Sequence, residues 1–98
     1  MKYQFEGEVH RWASNPAFFL VSLPKNYSDE IAEISEGLTA GFGSLKVEVT
    51  IGKVTWRTSI FPDSATGLFD LPLKAEVRNK NDLVEGSIAK VELEVLGF

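Results

Sequence analysis

Apolar and polar residues alternate through two neighbouring stretches. Leu45, Val47, Val49 and Ile51 interleave with Lys46, Glu48 and Thr50, and Val54, Trp56 and Ile60 interleave with Thr55, Arg57 and Ser59. A period of two with one apolar face predicts half-buried strands, and Gly52-Lys53 between them predicts a two-residue reversing turn in which glycine takes a positive φ. This turn pairs Ile51 with Val54, Val49 with Trp56 and Val47 with Thr58. It collects the apolar side chains, Trp56 included, on the core face and sets Glu48 opposite Arg57, a cross-strand charge pair worth roughly 0.2–1 kcal/mol. One register satisfies both the core and the charges.

The same alternation extends the sheet in both directions. Over residues 2–12, Tyr3, Phe5 and Val9 share one parity and Gln4, Glu6, Glu8 and His10 the other. Gly7 falls on the apolar parity, where it implies a bulge, a bend or a close backbone approach. Residues 13–17 carry turn chemistry. Phe18 to Leu23 is apolar on both parities apart from Ser22, and Pro24 ends it. Ser28 as an N-cap, Asp29 and Glu30 behind it, and Ile31, Ile34 and Leu38 at helical spacing predict one short helix over 28–38, ended by Gly41 and Gly43. Residues 68–78 alternate again, with Phe69, Leu71, Leu73, Ala75 and Val77 inward and Pro72 marking an edge or bulge. Residues 79–82 are polar turn, 83–86 a tight corner, and Ser87 to Leu96 the last strand, with Ala89, Val91, Leu93 and Val95 inward. Six strands and one short helix in a single domain, residues 1–98, predict a mainly β fold: a small closed or nearly closed antiparallel β-barrel.

Composition narrows the function classes. There are no cysteines, which removes thiolate nucleophiles, disulfides and Cys-based zinc sites. No apolar run reaches membrane-spanning length and no signal-like core opens the chain, so a cytoplasmic protein is expected. The net charge of −4 disfavours a phosphate backbone as partner. The bases concentrate in residues 46–80, where Lys46, Lys53, Arg57, Lys74, Arg78 and Lys80 stand against Glu48, Asp63, Asp70 and Glu76.

Several stretches, taken in order, resemble a known family: residues 5–9, residues 19–24 with Ser28 to Ile31 after them, Trp56 to Pro62, Leu71 to Arg78, and Leu83 to Gly86. Together they resemble an uncharacterised prokaryotic β-barrel domain of unknown function, often fused ahead of a bacteriocin-protection (YdeI/OmpD-associated) domain. The chain departs from that family's pattern at Ser87, where an acidic residue is common. The resemblance implies a barrel and no particular activity.

Candidate chemistry is sparse. His10 is the one histidine and has no sequence-local nucleophile. The acids of residues 29–36 have an ordinary helix-dipole explanation, and no metal, cofactor or catalytic set is expected. Asp63 and Asp70 are possible acid–base partners only if the fold brings them together. Arg57 and Ser59 share the outward face of one strand, and Lys74 and Arg78 that of another. Placed side by side, they offer guanidinium forks and a point charge to a carboxylate or phosphate. Trp12, ending a strand beside a loop, is a candidate ligand platform. The expected function is a non-enzymatic binding module for a small anionic ligand or a protein partner at Arg57, Ser59, Lys74, Arg78 and Trp12. The alternative is a dimeric DNA-binding or regulatory small barrel of the AbrB-like type, prompted by the 83–86 corner.

Overall fold

The computed structural model describes residues 1–35 and 43–96. Within them are seven strands and two helices: β1 Lys2–Glu8, β2 His10–Trp12, β3 Asn15–Ser22, α1 Lys25–Ser35, β4 Leu45–Ile51, β5 Val54–Asp63, β6 Leu68–Pro72, α2 Ala75–Lys80 and β7 Ile88–Val95. Every strand pairing is antiparallel, and the order across the sheet is β1-β7-β4-β5-β6-β3-β2. The two edge strands are consecutive in the chain, joined at Val9. The sheet therefore rolls until its edges approach, giving the nearly closed barrel that the alternation predicts. Val9 is fully buried at the junction, where its N–H donates to Ser87 O and its carbonyl accepts from Gly86 N, both at 2.8 Å. The 83–86 corner is thus the clamp that holds the bend, and Gly86 takes the positive φ (90°) that the corner requires.

The central hairpin has the expected register, including Glu48 opposite Arg57 and Val49 opposite Trp56. Arg57 Nε lies 3.4 Å from Glu48 Oε1, with Arg57 well exposed and Glu48 partly so. A double-mutant cycle on Glu48→Gln and Arg57→Gln should give a coupling of roughly 0.2–1 kcal/mol that shrinks in high salt; a coupling that persists in 1 M salt would contradict a solvent-screened pair. Trp56 is partly exposed and packs against the core from its margin, where the sequence places it fully inside. The core proper contains Val47, Val49, Ile60, Leu71, Leu73, Val77, Val91 and Leu93, all at or below 3% exposure.

The strand expected over residues 2–12 breaks at Val9 into β1 and β2, giving seven strands where the sequence predicts six, and β3 starts at Asn15, within the expected 13–17 turn. Two further elements differ from expectation. The alternation over 68–78 continues through a change of structure: β6 stops at Pro72 and α2 begins at Ala75. Leu73 and Val77 are four apart, so both point inward whether the segment is extended or helical. Ala75, Glu76, Arg78 and Lys80 favour the helix, a Glu76–Lys80 pair at 3.2 Å supports it, and the Asn81 side chain closes it by donating to Val77 O. The second difference is α1, which starts at Lys25, directly after Pro24. Ser28 then lies inside the helix and is buried. Its Oγ donates to Leu23 O and accepts from Phe69 N, tying α1 to β6 instead of capping the helix. Asp29 and Glu30 consequently fall in the second turn. The expected helix end at Leu38, and Gly41 after it, lie outside the described residues.

At its barrel-facing side α1 is fastened by aromatics. Tyr27 packs on Tyr3 (centroids 4.9 Å apart) and on Phe5, and Tyr3 donates a hydrogen bond to Glu30 at 2.9 Å. Burial, reinforced by that carboxylate, pushes the Tyr3 phenol up to about 12.

Candidate functional site

The outward faces of β2, β3, β6 and the end of β5 form one surface. On β3, Phe19 and Val21 turn inward and Phe18, Leu20 and Ser22 outward; on β6, Phe69 and Leu71 turn inward and Leu68, Asp70 and Pro72 outward. The registers set Leu20 beside Pro72, Ser22 beside Asp70, and Asp70 beside Phe61. A cleft of about 340 Å³ opens on this surface, lined by Trp12, Phe18, Leu20, Phe61, Asp70 and Pro72. Its walls are almost entirely carbon. Trp12, Phe18 and Phe61 are 42%, 53% and 49% exposed, and Trp12 meets Phe18 edge to face at 6.1 Å.

Asp70 is the polar group of the cleft and is only 7% exposed. Ser22 Oγ donates to its Oδ1 at 2.7 Å. Burial pushes the Asp70 carboxyl above its ordinary value near 3.8. The Ser22 hydrogen bond opposes this, the Asp63 carboxylate adds to it, and His10 opposes it. The fold thus brings together the two acids that the sequence left separate, with the one histidine beside them. Asp63 also accepts from Ala65 N at 2.9 Å, which holds its side chain in the 63–67 turn.

Beside the cleft runs a second groove of about 220 Å³. It exists because β6 pairs with β5 only over Phe61 to Asp63, so the edge of β5 nearer the hairpin faces the 72–74 segment across a gap. Phe18, Phe19, Trp56, Arg57, Thr58, Pro72, Leu73 and Lys74 line it, and Phe18 and Pro72 border the aromatic cleft as well. Of the basic residues singled out from the sequence, Arg57 and Lys74 meet in this groove. Arg78 instead lies with its guanidinium 4.0 Å from the Phe19 ring centroid and donates to Leu73 O. Arg11 sits 4.6 Å from the same ring and pairs with Glu85 of the corner at 3.0 Å. Ser59 lies between Arg57 and Phe61 on the outward face of β5 and lines neither cavity. A wider groove of about 710 Å³ separates the hairpin tip from α2 and gathers Lys53, Lys74 and Lys80 around Glu76. Lys80 and Lys74 hold that exposed carboxyl below its ordinary range.

Reasoning from the sequence found Trp12 and missed Phe61 and Asp70 as its companions. Phe18 begins a stretch apolar on both parities, a pattern that fits a strand covered on both sides. Phe61 sits on the polar parity of β5, and that break in alternation was the available signal. Among the described residues no group of three or more His, Asp or Glu side chains is placed to hold a metal ion, and no helix is long and apolar enough to cross a membrane.

The fold and surface define a small nearly closed antiparallel barrel that carries an aromatic cleft on its outer face. Residues 5–93 match the family model for the domain of unknown function DUF1905, and the chain belongs to that family. No curated protein matches it.

Proposed function

We propose that this domain is a non-enzymatic binding module whose ligand lies against the outer face of β2, β3, β6 and the end of β5. The observation that carries this reading is the grouping of three half-exposed aromatic side chains, Trp12, Phe18 and Phe61, around one cleft with a buried carboxyl group in its wall. A folded chain gains nothing in its own core by holding three large aromatics in solvent on adjacent strands. Contiguous apolar surface with one placed polar group is the usual form of a ligand pocket, and about 340 Å³ suits a small molecule or a single side chain of a protein partner. The adjoining groove extends the face: Arg57 and Lys74 there stand ready for an anionic group on the same ligand, each at the cost of an exposed ion pair, with Glu48 or Glu76, that contributes little to stability.

The test uses 1-naphthalenesulfonate, an aromatic body with one anionic group, titrated into isotopically labelled protein. Amide shifts should concentrate on Phe18, Leu20, Phe61 and Asp70 and spread toward Arg57 and Lys74. Phe61→Ala should weaken binding about tenfold, the loss expected when one aromatic wall of a small site is removed. Shifts scattered over the barrel, or a Phe61→Ala titration identical to that of the unaltered chain, would refute the assignment of the binding face.

A further inference from the structure

The geometry points to an alkylated ammonium group as the occupant of the aromatic cleft, held against Trp12, Phe18 and Phe61 with Asp70 as its counter-charge. This rests on the binding face proposed above and adds the chemical class of its ligand. Two independent features converge on it. The first is the wall. Apart from Asp70 it consists of Trp12, Phe18, Leu20, Phe61 and Pro72. The faces of aromatic rings carry the negative end of a quadrupole and attract a cation within about 6 Å of the centroid. The second is charge. Asp70 borders the cleft, and of the charged groups that act on it the Asp63 carboxylate adds to its negative charge while His10 opposes it. A carbon-walled site with acidic groups at one side favours a positive occupant over an anionic one and over a neutral one of equal shape.

The same wall selects among cations. A primary ammonium or a metal ion would surrender tightly held water and find few oxygen partners in return, since aromatic and proline carbons accept no strong hydrogen bonds. A quaternary or otherwise methylated ammonium spreads its charge over carbon, is weakly hydrated, and presents methyl groups that pack against rings. The cleft of about 340 Å³ suits such a group as a free small molecule.

Calorimetric titration with choline and with 3,3-dimethylbutan-1-ol, its neutral isostere, separates charge from shape. Choline should bind at least tenfold more tightly than the alcohol. In Asp70→Asn, which keeps an acceptor for Ser22, the preference should collapse toward one. In Phe61→Leu, which keeps apolar bulk but removes the ring, choline should weaken more than the alcohol. Equal binding of the two compounds, or a choline preference that survives Asp70→Asn, overturns the inference and leaves the binding face standing. If neither compound binds while 1-naphthalenesulfonate still shifts the residues of the cleft, the inference alone fails; if the sulfonate also fails, both fall.

Discussion

Gly7→Val is expected to destabilise the barrel by about 3 kcal/mol or more, and Gly7→Ala by about 1–3 kcal/mol, read from denaturant midpoints at unchanged slope. The cause is the way the sheet closes. Where β1 nears its end, its backbone passes β3, and a Cβ on Gly7 would run into Cγ1 of Val21 with Ser22 O at 3.5 Å behind it. Val21 is fully buried, so its methyl group cannot swing into solvent. The ladder from β1 to β7 continues in register through Gly7 opposite Ala89, so Gly7 marks a close approach and not a bulge. For a domain of this size, with a total stability of roughly 5–15 kcal/mol, a loss of about 3 kcal/mol is a large fraction. Val21→Ala should recover part of the loss in the Gly7→Ala background, because it removes the atom that is struck, although alone it leaves a cavity. Simple additivity of the two substitutions would show that the β1–β3 approach is not what makes Gly7 necessary.

What could be read from the sequence follows from which forces act locally. The 45–60 hairpin was legible to the residue because its turn, its apolar face and the Glu48–Arg57 pair all specify one register. Helix α2 was not, because six residues make fewer than two turns, too few for a period of 3.6 to separate from a period of two, and Val77 is inward under both. Ser28 misled for a related reason. A serine before two acids has the composition of a helix start, but its partners, Leu23 O and Phe69 N, include a strand 41 residues away that only the folded chain brings close. The candidate site divides along the same line. Trp12 was visible as an aromatic out of place. Its grouping with Phe18, Phe61 and Asp70 depends on the order β5-β6-β3-β2, which no local pattern encodes. The basic residues were visible as outward positions, but their partners were not: Arg78 rests on Phe19, and Lys74 reaches the groove from the approach to a helix where the sequence predicts a strand.

Asp70→Asn should stabilise the protein at neutral pH, by about 0.5–2 kcal/mol, and the gain should vanish in acid. Ser22 still has an oxygen to donate to, so packing and hydrogen bonding are kept while the charge is removed. Burial holds the folded-state carboxyl above its unfolded value near 3.8, with Asp63 reinforcing the shift and Ser22 and His10 opposing it. Between the two values the folded protein binds more protons than the unfolded chain, so stability falls as pH rises through that window and the full penalty remains above it. Below about 3.8 the carboxyl is protonated in both states and the penalty is gone. Unfolding midpoints of the unaltered chain and of Asp70→Asn should therefore lie furthest apart at neutral pH and converge toward pH 3.8. A destabilised Asp70→Asn at pH 7 would show instead that the ionised carboxylate is a structural partner whose hydrogen bonds outweigh its desolvation. The expected sign bears on function as well as on stability. A buried acid that weakens its own fold, beside aromatics that gain nothing from exposure, is a cost concentrated on one face. Proteins retain such costs where binding requires them, and the same substitution that raises the midpoint should abolish the preference of the cleft for a cation.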